Sequence, residues 1–221
     1  MDKTKPADWI TIKPQSIITL SDAQAIADSM RRGLGVRGIN YTVTSIERCE
    51  HLSGFSTHLF LTLSDTEQTM YLLVKIVDDL IDLYAFFEAP IEGGQRSALL
   101  ERDMFWLFQE PSDPEHFTPS ELRYTMTFSQ TIPNADGGSE TELLYRQKSQ
   151  GELQCRHTQT PPRKGLPPSL LATIVEYKTD QATENPEFLI LEVGEERSSH
   201  SFVRFFLGCP IQMSEVDILG I

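Results

Sequence analysis

Tyr71–Ile91 reads YLLVKIVDDLIDLYAFFEAPI, and this stretch decides the fold. Leu72, Val74 and Ile76 alternate on one face of a first strand, and Ile81, Leu83, Ala85 and Phe87 on one face of a second. Asp78-Asp79 stands between them, and Asp tolerates the backbone of a tight hairpin turn. With those two residues as the loop, Ile76 meets Ile81, Val74 meets Leu83, and Leu72 meets Ala85. On the opposite face Val77 meets Leu80, Lys75 meets Asp82, Leu73 meets Tyr84, and Tyr71 meets Phe86. Cross-strand pairs of this kind, one of them oppositely charged and one aromatic, contribute roughly 0.2–1 kcal/mol each. A one-residue slip sets core positions against solvent positions, so the register is specified. Both faces are apolar enough to place the hairpin centrally in its sheet.

Working outward, short strands dominate. Ile39–Glu50 carries Tyr41 and Val43 and changes phase at Ile46, which predicts a bulge or bend. Phe55–Leu63 puts Leu59, Leu61 and Leu63 on one side, and Ser64–Glu67 turns into the hairpin. Further strands are expected near Glu121–Thr131, Thr141–Lys148, Glu152–Thr158, Leu170–Lys178, Glu187–Val193 and Ser201–Leu207. Residues 1–19 read as extended, since Pro6 and Pro14 oppose helix. One helix is expected at about 22–32: Ser21 caps it, Gln24 completes a capping box, Ala23, Ile26, Ala27 and Met30 keep helical spacing, and Gly33 ends it. The fold class is mostly β, α+β by virtue of that helix, with antiparallel meanders arranged as a sandwich or barrel-like sheet. Residues 1–221 read as a single domain, and Pro111, Pro114 and Pro119 mark the loop at 111–119 between two halves, about 36–110 and 121–213.

Those halves show an internal correspondence. Tyr71–Asp79 aligns with Phe188–Glu196: aromatic on aromatic, four matching apolar positions, and an acidic pair at each end. Phe86–Ile91 aligns with Phe205–Ile211, with two extra residues in the second turn and one after the strand. Upstream, Cys49-Glu50-His51 aligns with Cys155-Arg156-His157 at an offset of 155 − 49 = 106. The difference from the offset of 188 − 71 = 117 is 11, the length of the Pro-rich stretch Thr158–Pro168. A duplicated β-meander explains this; chance likeness of short apolar strands is the other explanation.

The composition limits function. The chain has 221 residues, with 19 basic and 32 acidic side chains and a net charge of −13. That balance repels phosphate backbones and anionic lipid, and argues against nucleic acid. No stretch is apolar enough to span a membrane, and three cysteines make no disulfide framework. A reducing cytoplasm is the expected location. Gly33–Gly38 is formally a GxGxxG, but a helix precedes it and a strand follows. That order is the reverse of a dinucleotide fingerprint. Lys75 resembles the kinase strand lysine only superficially, because HRD and DFG are both missing. Asp78, Asp79, Glu195 and Glu196 read as solvated turn residues.

The two Cys-x-His pairs carry the sharpest chemistry. On a strand, residues i and i+2 share a face, so each pair presents a thiol and an imidazole together. Cys49, His51, Cys155 and His157 therefore form a candidate tetrahedral Cys₂His₂ zinc site, although zinc spacing is usually Cys-x₂₋₄-Cys. The blander reading makes both cysteines small core hydrophobes with the histidines at strand ends. A Cys155–His157 nucleophile pair lacks a nearby helix start or cation on its own face. Phe86-Phe87, Phe105-Trp106-Leu107-Phe108 and Phe205-Phe206 read as core, or as the lining of an apolar ligand cavity. Three functions remain open. The first is a non-catalytic binding or scaffold protein with a protein partner or as a homodimer, needing no cofactor. The second is a zinc protein or enzyme built on those four residues. The third is a small-molecule binding barrel.

Overall fold

The structure, a computed structural model, describes residues 2–21, 40–65, 69–89, 127–133, 140–165, 167–179, 187–194 and 202–219. A short helix, α1 (Pro6–Ile10), precedes strands β1 (Ile17–Leu20), β2 (Asn40–His51), β3 (Ser56–Ser64), β4 (Thr69–Val77) and β5 (Leu80–Ala89). There follow β6 (Thr127–Pro133), β7 (Glu140–Thr160), β8 (Leu170–Thr179), β9 (Glu187–Val193), β10 (Phe202–Ile211) and β11 (Val216–Leu219). The protein is mostly β, and the strand pairings are antiparallel. The helix expected at 22–32, the Gly33–Gly38 turn, the loop at 111–119 and the apolar run at Phe105–Phe108 lie outside the described residues.

The described residues divide into two compact units. The first comprises Met1–Phe87, Cys155–Ser169 and Gly208–Ile221. Here β1 lies between β11 and β2, and β2, β3, β4 and β5 follow as successive neighbours. The hairpin has the register its sequence requires, with Tyr71 opposite Phe86, Lys75 opposite Asp82 and Val77 opposite Leu80. Asp78 takes a φ of 53°, the left-handed region that Asp enters at small cost. The phase change in β2 is a bulge: Val43 meets Leu63 but Ser45 meets Thr62, leaving Thr44 unopposed.

One edge of β2 belongs to β3. The other is shared: Asn40–Thr42 pairs with β1, and Ile46–His51 pairs with the Cys155–Thr160 end of β7. β7 is a single strand of 21 residues, where two were expected. Its Glu140–Arg146 part pairs with β6 and its Cys155–Thr160 part with β2. Gly208 of β10 comes so close to β5 that a Cβ there would stand 2.0 Å from the Ala85 carbonyl oxygen.

One face of this sheet holds the apolar core. Leu59, Leu61, Leu63, Leu72, Val74, Ile76, Leu83 and Ala85 are buried there with Trp9 and Ile12. Burying a large aliphatic side chain is worth about 1.5–3 kcal/mol, so these alternating positions set which face turns inward. The N-terminal segment departs from the extended conformation expected of it. Pro6 sits at the first helical position, where its missing N–H costs nothing. The turn it starts buries Trp9, whose indole N–H donates to the Lys3 carbonyl at 2.8 Å.

The second unit comprises Glu88–Gln154 and Leu170–Leu207. Its strands β6 and β7 pair from Thr127 opposite Arg146 to Pro133 opposite Glu140, and β8 and β9 from Ala172 opposite Val193 to Tyr177 opposite Phe188. Ile174, Val175, Tyr177, Leu189, Leu191, Val193 and Phe206 are buried.

Candidate functional site

The face of the first unit opposite the apolar core is also buried, and it mixes polar side chains with apolar ones such as Phe60 and Leu73. Parity on β2 puts Glu47, Cys49 and His51 on this face. The β2–β7 register sets Cys49 opposite His157 and His51 opposite Cys155. Residues directly opposite in an antiparallel pair project to the same side. The four residues of the sequence-derived zinc site therefore stand together on one face of two adjacent strands. Cys49, Cys155 and His157 are buried, and His51 is half-buried at the strand end. Neither cysteine is in a disulfide.

The row extends across the sheet. Cys49 faces His58 on β3, His58 faces Lys75 on β4, and Lys75 faces Asp82 on β5. One lateral line thus runs His157–Cys49–His58–Lys75–Asp82. The first four are buried, with His58 fully so, and Asp82 is exposed. The adjacent row is Glu47 opposite Phe60 and Phe60 opposite Leu73. Burial of polar groups is tolerated when they find partners. Glu47, 4% exposed, accepts a hydrogen bond from His157 Nε2–H at 3.0 Å. A carboxylate only accepts, so the proton of this hydrogen bond belongs on Nε2.

His51 is held differently. The Ser53 backbone N–H donates to its Nδ1 at 3.1 Å, and the ring packs on Phe55 with centroids 4.3 Å apart. Its lone pair is thus on Nδ1. Ser56, on β3 two residues before His58 and so on the same face, is buried; its Oγ has no hydrogen-bond partner among the described residues. Among the described residues no three Cys, His, Asp or Glu side chains converge on one point, His157 being turned to Glu47 and His51 to Ser53.

Glu47, His58 and Lys75 belong to this face, and sequence reading alone did not assign them to a site. The available signal was parity: Ser56, His58, Phe60 and Thr62 occupy the side of β3 that Leu59, Leu61 and Leu63 do not. The expectation that both histidines sit at strand ends holds for His51, which closes β2, whereas His157 lies inside β7. Phe86 and Phe206 are buried, while the side chains of Phe87 and Phe205 and the run at Phe105–Phe108 lie outside the described residues. No helix among the described residues is long and apolar enough to cross a membrane.

Comparison with known proteins adds no assignment: no family model matches the chain, and no curated protein or solved structure is significantly similar to it.

Proposed function

We propose that this protein is a non-catalytic binding protein, and that its binding element is the buried polar face of β7, β2, β3 and β4. One observation carries the reading: Glu47, Cys49, His58, Lys75 and His157 are buried side by side on the face opposite the apolar core. A sheet needing only stability fills a buried face with branched aliphatics, as the other face does. Buried titratable side chains cost stability relative to well-packed apolar ones, and they are concentrated where function needs them. Binding is favoured over catalysis by the environment of the two thiols. Neither stands at a helix N-terminus, where a nucleophilic cysteine is activated; both lie within strand ladders.

The test is a thermal-shift panel of divalent metals, inorganic phosphate and small carboxylates, run on the wild type and on Glu47→Leu/His157→Leu. The reading expects at least one ligand to raise the melting temperature of the wild type and to leave the double variant unmoved. Equal shifts in both proteins would contradict it.

A second reading, contact with a protein partner or a second copy, has its own observation. Leu52, Phe55 and Leu80 are 57%, 42% and 74% exposed. They lie in adjoining hairpin turns, tied where the Asp78 N–H donates to the Phe55 carbonyl at 3.2 Å. Sedimentation of the wild type against Leu80→Glu tests it: a concentration-dependent oligomer that the charge dissolves supports the reading, and a monomer in both cases removes it.

A further inference from the structure

We infer that the turns joining β2 to β3 and β4 to β5 form a docking surface for a basic, amphipathic segment of a partner protein, one that sets Lys or Arg beside aliphatic side chains. This goes beyond the polar-face reading and deepens the second reading above, on which it rests. The centre of the surface is apolar. Leu52, Phe55 and Leu80 are exposed there, whereas Leu59, Leu61, Leu63, Leu72 and Leu73 of the adjoining strands are buried. A single exposed apolar residue needs no explanation. Three gathered in adjoining turns mark an interaction surface.

Both turns are fixed by their own contacts. Phe55 packs on the His51 ring, which the Ser53 backbone N–H holds through Nδ1. Gly54 takes a φ of 80°, and its N–H donates to the His51 carbonyl at 2.8 Å, closing the first turn. The Asp78 N–H, donating to the Phe55 carbonyl, ties the second turn to the first. A surface arranged before its partner arrives has less ordering to lose on binding, so contact there converts more fully into affinity.

Charge selects the partner. Asp78, Asp79 and Asp82 are exposed in and beside the second turn, and among the described residues their carboxylates enter no ion pair. Lys75, opposite Asp82, is buried. Arg48 and Arg156 stand on β2 and β7 beside Glu50, away from that turn. A second copy would bring the same carboxylates, and a net charge of −13, against this surface; anionic lipid would be repelled in the same way. A segment with Lys or Arg around aliphatic side chains fits both parts of it. Its apolar residues meet Leu52, Phe55 and Leu80, and its cations meet Asp78, Asp79 and Asp82. Rim charges of this kind set encounter and choice of partner, and salt screens them.

The experiment titrates the full chain into three fluorescein-labelled peptides of equal length, built from Lys and Leu, from Glu and Leu, and from Lys and Ser, and follows their anisotropy. The wild type should bind the Lys/Leu peptide alone, more weakly as salt is added. Leu80→Ser should lower that affinity about tenfold, the loss expected of an anchor residue. Asp79→Asn should lower it several-fold. Asp217→Asn should leave it unchanged, since Asp217, also exposed, lies toward the opposite end of β2, across Thr19 from Asn40. The three peptides on the wild type are decisive without any variant. Equal binding of the Lys/Leu and Glu/Leu peptides, or equal losses in Asp79→Asn and Asp217→Asn, overturns the basic partner and leaves the second reading standing. Binding of the Lys/Ser peptide as tight as that of the Lys/Leu peptide overturns the apolar surface. An oligomer that Leu80→Glu dissolves makes the occupant a second copy, which overturns this inference and sustains the second reading. A monomer that binds none of the peptides overturns both.

Discussion

The Glu47–His157 contact supports the most demanding prediction. Both side chains are almost fully buried, at 4% and 2% exposure, and Nε2 lies 3.0 Å from Oε2. Glu47→Leu leaves an imidazole N–H without its acceptor in a site closed to water. An orphaned buried donor costs about 1–3 kcal/mol, and about 3–5 kcal/mol if the partner left behind is charged. His157→Leu is the harsher change, because it takes from a buried carboxylate the imidazole bonded to it. The double variant Glu47→Leu/His157→Leu removes both polar groups and should recover most of the loss, since apolar replacements of buried pairs are often neutral or stabilising. The expected coupling is about 3 kcal/mol, at the upper end for residues in contact. For a chain of this size about 1 kcal/mol moves the melting temperature by roughly 2–4 °C. With the double variant near the wild type, the two single losses sum to about 3 kcal/mol, so the single variants should melt on average roughly 3–6 °C below the double variant. Urea unfolding of the four proteins, with the slope checked for constancy, closes the cycle. Additive losses, or single variants as stable as the wild type, would refute the inference that this pair is buried and mutually dependent.

Three further outcomes follow from single positions. Gly208→Ala places a Cβ 2.0 Å from the Ala85 carbonyl oxygen and 2.8 Å from the Phe86 Cα; the backbone must move, so calorimetry should show a loss of about 3 kcal/mol or more. Asp78 holds a φ of 53° at the hairpin turn, so Asp78→Val should cost about 1–2 kcal/mol in denaturant unfolding while Asp78→Gly stays near the wild type. The Asp2 carboxyl accepts from the Thr4 hydroxyl and backbone N–H, with Lys5 beside it, which lowers its pKa from 3.8 to about 2. Its folded value lies below the ordinary one, so its contribution is present above the ordinary value and is lost as pH falls through about 2. An NMR titration of Asp2 should show this, and Thr4→Val should move the midpoint back toward 3.8.

The hairpin was legible because all the information it needs is local. Alternation on both strands, one charged pair, one aromatic pair and a two-residue loop leave a single register, and β4 and β5 adopt it. The bulge in β2 was legible for the same reason, as a change of local period at Ile46, and it falls at Thr44. The polar face was legible only in part. The Cys-x-His repeats announced that two strands carry similar chemistry, but not that these strands pair with each other. That pairing depends on β3 and β7 taking opposite edges of β2, a long-range choice with no local signature. His58 and Lys75 were hidden for the same reason, since each joins the row only through the registers of β2–β3 and β3–β4. The N-terminal turn was hidden by a rule applied too broadly: a proline opposes a helix interior, yet at the first helical position it is well tolerated.

Native mass spectrometry of the purified wild type beside Glu47→Leu/His157→Leu tests the central claim, that the buried polar face exists to hold a ligand. The account predicts a bound species at one per chain on the wild type and a bare chain for the double variant. A bare wild type, or the same adduct on both proteins, would contradict it.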